Sequence, residues 1–485
     1  MNRGSIQAIG AGKSPTLELL TLALPIVGMT VTRMLMGFID FIMVSALGTD
    51  AQAAISPAAI LVFTIACLGG GVAQSVQTFV SQADGRGEPH RAGGYAWQSF
   101  YVAGLCTLLV GLFALTTERW FATLAALGRH APTVAALEVE YIRIAMWLVP
   151  AAIISSGLDG FFSGIRKPRT SLIAALLSVA ANTLGNWLLI YGNLGFPRLE
   201  MTGAAIATVV GWWVRAGVLT VAMLRADCDR RYRTRGSYGF CWDSVRGLLY
   251  VGGPTSLQWI IDIGSWVVFM VLIMPPFGTP AMAATNTVMQ LMHLSFMPAI
   301  GVGIALCSQV GFAIGQRSPE DAVRRTRVAL RVTVGYMAGV GLLFLLARRP
   351  LIWIFNRDPV VIEVGALILV WAAIFQAFDA MGITYMNALR GAGDTRWAAA
   401  VTFLTCWGVF VGGGYAMSHL LPQYGINGPW GACTVYIIVL GLLLAWRWYR
   451  GHWRRMQLFR EPPASVRELL PAVCTGPTGL PAASE

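Results

Sequence analysis

Charged side chains are scarce in this sequence. Asp, Glu, Lys and Arg make up 12% of its 485 residues, whereas an ordinary soluble domain carries roughly 25%. The scarcity excludes an ordinary soluble globular protein and a disordered chain, because both need many more polar side chains. The sequence also lacks a Cys-x-x-Cys pair and any Cys/His cluster at metal-ligand spacing. We therefore expect no disulfide framework, no metal site and no cofactor.

Long apolar runs are abundant, since hydrophobic residues make up 56% of the chain. A membrane-spanning helix needs roughly 20 mostly apolar residues, and the runs are continuous rather than alternating, which disfavours an outer-membrane barrel. Twelve segments qualify: 20–47, 51–80, 93–115, 133–156, 170–193, 202–224, 246–275, 281–313, 326–347, 361–388, 395–419 and 427–449. The sequence thus predicts an all-α integral membrane protein with twelve transmembrane helices. Several segments exceed 25 residues, which predicts tilted or bent helices.

The longest polar connection, residues 225–245, divides the twelve segments into two sets of six. We predict an N-terminal lobe over 1–235, a C-terminal lobe over 236–455 and a disordered cytoplasmic tail over 456–485. The polar first 19 residues hold no short apolar core with a cleavage site, so no cleaved signal peptide is expected.

Basic residues are placed unevenly along the chain. The formal net charge is +12, and most Lys and Arg residues lie in the connections expected on the side of the N-terminus, with large groups at 225–246, 317–331 and 447–467. Because basic loops stay in the cytoplasm, both termini are predicted to be cytoplasmic. Topology accounts for the basic charge, so no nucleic-acid partner is expected.

Short matches between the two halves indicate an internal duplication. Thr49–Ala54 matches Thr279–Ala284, and Ser81-Gln82 matches Ser308-Gln309, in the same order and at nearly constant offset. Two copies with an even number of helices run the same way through the membrane, which implies a pseudo-two-fold axis along the membrane normal. We expect two homologous six-helix bundles around a central cavity, an arrangement more typical of a transporter than of a channel or an enzyme.

Polar side chains at membrane depth are the candidate functional residues. Asp40, Asp262 and Asp379 fall inside the first, seventh and tenth segments, where an ionisable group is costly and a functional candidate by default. Asn182 and Asn186 lie one turn apart on one face of the fifth segment. These amides could supply oxygen ligands for a hard cation or hydrogen bonds to a proton-accepting carboxylate. They could equally serve helix–helix hydrogen bonding alone.

Several stretches carry a resemblance to a known family, the multidrug and toxic compound extrusion (MATE) transporters. The resemblance covers about residues 16–450. The matching stretches are LALPIVG, GFIDFIMVSALG, SQADGRGE, NTLGNWLLIYGNLGFPRLEMTGAAIAT and FQAFDAMGITYMNALRGAGDT. It implies efflux of amphiphilic, often cationic compounds in exchange for Na⁺ or H⁺, from a bacterial inner membrane.

The resemblance also implies roles for single residues. Asp40 stands at the coupling carboxylate of the first helix, Asn182 and Asn186 at the accompanying pair, and Asp262 and Asp379 at two acidic positions of the second lobe. Thr208 stands at a further possible ligand position of the first lobe.

The chain departs from the family pattern at two places. Asp262 stands where Glu is frequent, and Phe375 stands where a Tyr often precedes the tenth-helix acid. The missing hydroxyl weakens the case for a Na⁺ site in the second lobe.

The expected mechanism joins these residues. Drug and coupling ion compete for the charge of Asp40, and Pro25 lets the first helix bend because it removes a backbone hydrogen bond. A membrane-embedded enzyme would need a catalytic constellation, and none is visible, so no catalytic activity is expected. Two alternatives stay open: an exporter of one specific metabolite within the family, and a flippase for lipid-linked oligosaccharides. A closed twelve-helix unit can act as a monomer in the lipid bilayer.

Overall fold

A computed structural model of the protein describes residues 14–119, 121, 131–456 and 458–459. Every regular element in that part of the chain is a helix. Eleven helices are long and apolar enough to cross a membrane, and a bent pair makes a twelfth span. The spans are α1 Pro15–Ser45, α2 Thr49–Gly85, α3 Pro89–Leu115, α4 Pro132–Ala145 with Leu148–Gly164, α5 Arg169–Leu189, α6 Glu200–Met223, α7 Trp242–Ile273, α8 Thr279–Gly315, α9 Pro319–Leu346, α10 Pro359–Ala392, α11 Thr395–Leu420 and α12 Asn427–Arg450. The predicted all-helical membrane fold is confirmed.

Backbone conformation explains where these helices end and bend. Gly48 separates α1 from α2 with a φ of 123° and Gly278 separates α7 from α8 with a φ of 84°, values that glycine adopts without a Cβ clash. The two parts of α4 meet at an angle of 50°. In contrast, α1 continues as one helix through Pro25, so bending at this proline stays a prediction.

Residue contacts divide the chain into two units. The N-unit holds residues 28–256 together with Leu458 and Phe459, and the C-unit holds residues 14–27 and 257–456. The C-unit includes the beginning of α1, and the N-unit includes the beginning of α7. These units are therefore a different division of the chain from 1–235 and 236–455. The predicted lobe boundaries stay a prediction, and nearly all of the tail predicted to be disordered lies outside the described residues.

The N-unit packs α5 and α6 backbone to backbone. A Cβ added to Gly203 of α6 would lie 2.7 Å from the backbone carbon of Leu189, and one added to Gly211 would lie 3.0 Å from Cβ of Asn182. Close approach of two helices in lipid depends on such small residues. The glycines therefore set the distance between the two helices that carry Asn182, Asn186 and Thr208.

The core of the C-unit is aromatic. Phe269 packs with Phe410 at a ring-centroid distance of 4.9 Å and with Trp430 at 5.6 Å, and all three side chains are fully buried. Offset and edge-to-face rings of this kind each add roughly 0.5–1.5 kcal/mol beyond their buried area. The aromatic core thus joins α7, α11 and α12.

Phe459 of the C-terminal segment packs into the N-unit. Its ring lies 6.1 Å from the ring of Phe79 and 6.1 Å from that of Tyr95, and the Arg86 guanidinium lies 4.6 Å from its centroid. The side chain is 6% exposed. Phe459 thus packs against the ends of α2 and α3, and Leu458 lies against the same core.

Candidate functional site

Asp40 lies buried inside the N-unit, 7% exposed. Asn186 Nδ2 donates to Asp40 Oδ1 at 2.5 Å, and Thr208 Oγ1 lies 3.3 Å from Asp40 Oδ2. Asn182 Nδ2 approaches the same threonine hydroxyl at 3.4 Å. The structure therefore brings together four of the predicted site residues, contributed by α1, α5 and α6.

The donor count at this site leaves oxygen atoms available. The Thr208 hydroxyl also lies 2.9 Å from the carbonyl oxygen of Ala204, so its single proton can serve only one acceptor at a time. Within the described part of the chain, the buried Oδ1 atoms of Asn182 and Asn186 accept no hydrogen bond. Carboxylate, amide and hydroxyl oxygens are the ligands that hard cations prefer. The cluster can therefore accept a proton on Asp40 or surround a small cation.

Tyr141 is a site residue that the sequence reasoning missed. It lies on α4, is 3% exposed, interacts electrostatically with Asp40 and lies close to Thr208. The sequence of the fourth segment does not relate Tyr141 to Asp40, because the two residues lie on different helices. Only tertiary packing reveals this contact. Tyr141 adds a fourth helix to the site.

Asp262 and Asp379 form a second acidic group, in the C-unit. They lie on α7 and α10 and interact electrostatically with each other. Asp262 is exposed and Asp379 half-buried. Because two like charges at this depth repel, the pair can lower its energy by taking up a proton or a cation. The structure thus joins two predicted residues that lie more than a hundred positions apart in the chain.

The missing hydroxyl of Phe375 has a nearby counterpart. Phe375 is fully buried in the aromatic core, while Tyr436 on α12 interacts electrostatically with Asp262 and Cys406. A tyrosine hydroxyl is therefore present beside the acidic pair, supplied by another helix. No pattern in the sequence points to this hydroxyl, because Tyr436 stands in a continuously apolar segment.

A buried ion pair also connects α4 and α6 within the N-unit. Arg215 Nη2 of α6 donates to Asp159 Oδ2 of α4 at 2.7 Å, and the two side chains are 4% and 10% exposed. The sequence places Arg215 within a helix, and a buried guanidinium requires a carboxylate partner. That requirement is the signal that could have identified Asp159.

No group of three or more His, Cys, Asp or Glu side chains in the described residues could hold a metal ion. The cysteines that the structure describes are all free thiols.

Twelve candidate spans with ionisable side chains clustered inside the protein define a multi-pass helical membrane protein. The sequence model of the MatE family matches residues 25–188 and again 254–415. The chain therefore belongs to the MatE family, as its motifs predicted. The double match is the pattern expected of two homologous halves.

Curated relatives and solved structures agree with this family. The chain is 23% identical over 438 residues to multidrug resistance protein MdtK of Edwardsiella ictaluri, covering 89% of this chain and 94% of the relative. It is 28% identical to the probable multidrug resistance protein NorM of a Synechococcus strain, with 89% and 93% covered.

Two solved structures have the same fold. An outward-facing multidrug resistance MATE family transporter of the MOP superfamily superposes with a TM-score of 0.82 at 18% identity, covering 92% of this chain and 98% of that one. A variant of the Vibrio cholerae MATE transporter VcmN gives a TM-score of 0.80 at 17% identity, with the same coverage.

Proposed function

We propose that this protein exports amphiphilic, cationic small molecules across a bacterial inner membrane in exchange for a coupling cation that binds at Asp40. The proposal rests on the Asp40 cluster. Its buried carboxylate lies within hydrogen-bond distance of donors on Asn186 and Thr208, and the amide oxygens of Asn182 and Asn186 accept no hydrogen bond within the described residues. Multidrug resistance in the names of the relatives supports the substrate class.

The coupling cation is H⁺ or Na⁺, since either one neutralises Asp40 with the groups present. When Asp40 is neutral, Asn186 and Thr208 lose a charge-assisted hydrogen bond, and these bonds are worth roughly 1.5–3 kcal/mol. Loading the cation therefore changes how α1 is held against α5 and α6. The membrane potential adds about 2.3 kcal/mol per 100 mV for each positive charge that enters. The orientation with both termini cytoplasmic belongs to the same proposal and places the basic connections inside.

Asp262 and Asp379 are proposed to attract the cationic part of the substrate. Asp262 is the more exposed of the two, and a paired negative charge favours an amphiphilic cation over a neutral compound of similar size. Proton or Na⁺ uptake at Asp40 would then drive release of that cation.

Exchange in reconstituted vesicles tests the proposal. Purified protein is placed in vesicles that hold ethidium on encapsulated DNA, and an inward Na⁺ gradient or an inward H⁺ gradient is imposed separately. Loss of fluorescence under one gradient names the coupling cation. Asp40→Asn should abolish this loss, whereas Asp243→Asn, which neutralises an exposed carboxylate in the first turn of α7, should leave it intact.

Ethidium exchange that persists at the wild-type rate in Asp40→Asn would refute the role of this carboxylate. If neither gradient moves ethidium through folded wild-type protein, broad cation export is wrong, and a screen for a single metabolite becomes the next experiment.

A further inference from the structure

Arg33 is a charged residue at membrane depth that the proposed exchange does not use. It lies near the middle of α1 and its side chain is exposed. A guanidinium held against lipid at the centre of the bilayer is strongly unfavourable, and such residues almost always face the protein interior or a water-filled space. The exposure of Arg33 therefore indicates contact with water.

The charges around Arg33 do not balance. Asp159 and Arg215 interact with Arg33 electrostatically, but the carboxylate of Asp159 already forms its ion pair with Arg215. Among the described residues, no carboxylate lies within ion-pairing distance of Arg33. Two guanidinium groups share one carboxylate, so this group of three carries one excess positive charge.

Trp212 gives the same place an aromatic surface. The Arg33 guanidinium lies 5.6 Å from the Trp212 ring centroid and that of Arg215 lies 5.9 Å from it, and Trp212 is half-buried. Stacking on an aromatic ring orients a guanidinium while its N–H groups stay available. A planar guanidinium binds a carboxylate with two parallel hydrogen bonds.

We propose that Arg33 and Trp212 form a subsite for the carboxylate of amphiphilic aromatic substrates, so that zwitterions are bound as well as cations. The carboxylate pairs with Arg33 and neutralises the excess charge, while the aromatic body of the substrate packs near Trp212. This inference rests on the proposed function, because it extends the substrates of that same transporter from cations to zwitterions.

Two dyes with the same aromatic cation test the subsite. Rhodamine 110 carries a free carboxylate, and rhodamine 123 is its methyl ester. Binding of each dye to purified full-length protein is measured by fluorescence anisotropy. Arg33→Gln should weaken rhodamine 110 binding roughly ten- to hundredfold, the loss expected of a charge-assisted pair, and leave rhodamine 123 binding unchanged.

Two further variants separate the chemistry from folding. Arg33→Lys keeps the charge without the planar fork, so it should lose less rhodamine 110 binding than Arg33→Gln. Arg198→Gln removes an exposed arginine that pairs with Glu200 and should change neither dye. The melting temperature of each variant is measured beside its binding.

An equal loss of both dyes in Arg33→Gln at unchanged melting temperature would show that the residue does not select for the carboxylate. Wild-type protein that binds rhodamine 123 but not rhodamine 110 would also overturn the subsite. Either result can accompany normal ethidium exchange in vesicles, in which case the proposed function stands and the subsite alone fails. If ethidium exchange fails while rhodamine 110 binding still depends on Arg33, the proposed function is wrong and the carboxylate subsite stands.

Discussion

Breaking the buried ion pair between Asp159 and Arg215 should destabilise the protein unequally, depending on which partner is removed. Asp159→Asn leaves Arg215 beside Arg33, two guanidinium groups without a carboxylate. Arg215→Met leaves Asp159 with Arg33 nearby, whose electrostatic interaction with Asp159 is attractive. The first variant should therefore be the less stable one.

The size of the effect follows from the geometry. The donor and acceptor are 2.7 Å apart and both side chains are buried. Opposite unit charges at about 4 Å attract by roughly 4 kcal/mol at an effective dielectric constant of 20. Removing one partner of a buried pair typically costs about 3–5 kcal/mol. We expect Asp159→Asn to lower the free energy of unfolding by an amount in that range. Arg215→Met, and the double variant that combines Asp159→Asn with Arg215→Met, should lower it clearly less.

The assay is thermal unfolding in one detergent, followed by intrinsic tryptophan fluorescence. A loss of 3–5 kcal/mol corresponds to a fall in melting temperature on the order of 10 °C for a unit of this size. Arg143→Met, which removes an exposed arginine paired with Glu118, serves as the control and should change little. Equal melting temperatures for Asp159→Asn and the double variant would refute the argument, because the cost would then not come from an unpaired charge.

Two further predictions concern the C-unit acids and the C-terminal segment. Asp379→Asn should weaken ethidium binding roughly tenfold, the loss of one charge-assisted contact. Adding Asp262→Asn should weaken binding little further, because the two carboxylates act as a pair. Anisotropy titrations of both variants check this, and additive losses of affinity would show that the two carboxylates act as independent sites. Phe459→Ala should speed trypsin cleavage after Arg455, because the variant lacks the ring that packs the segment against Phe79. Phe240→Ala, at an exposed position, is the control. Equal cleavage rates for the two variants would contradict the prediction.

The helices could be predicted from the sequence wherever apolar character alone defines them. The apolar run 202–224 predicts a span, and α6 runs from Glu200 to Met223. The prediction failed where polar residues continue a helix. The apolar run predicts that the fourth span ends near 156, but α4 continues to Gly164, because Asp159 forms a buried ion pair with Arg215. A hydropathy profile cannot detect such an ion pair, because it scores each residue without regard to the residues that contact it in the fold.

The first residues of α9 show the same limit. The apolar run predicts a span that begins at 326, yet the helix begins at Pro319. Arg325 pairs there with Asp321 at 2.7 Å and with Glu18 at 2.9 Å. A charged turn reads as a connection in the sequence, whereas ion pairs on both sides let it continue the helix.

The Asp40 site was predictable in part. The four-residue spacing of Asn182 and Asn186 placed both amides on one face, and Asn186 reaches Asp40 directly while Asn182 reaches it through Thr208. Tyr141 could not be predicted, because its contact depends on how α4 packs against α1 and α6. Local periodicity identifies which face of a helix is polar, and tertiary packing decides what that face meets.

The glycines between α5 and α6 also determine which part of the Asp40 site can move. A Cβ at Gly203 would clash with the backbone of Leu189, and a Cβ at Gly211 would be tight against Asn182, so α5 and α6 pack closely enough to resist a change in their spacing. If α1 bends as predicted, Asn182, Asn186 and Thr208 stay in place relative to one another, and Asp40 is the side chain that moves with α1. A spectroscopic distance probe for the transport cycle is therefore best placed with one label on α1 and the other on α5 or α6, since a pair on α5 and α6 would report no change.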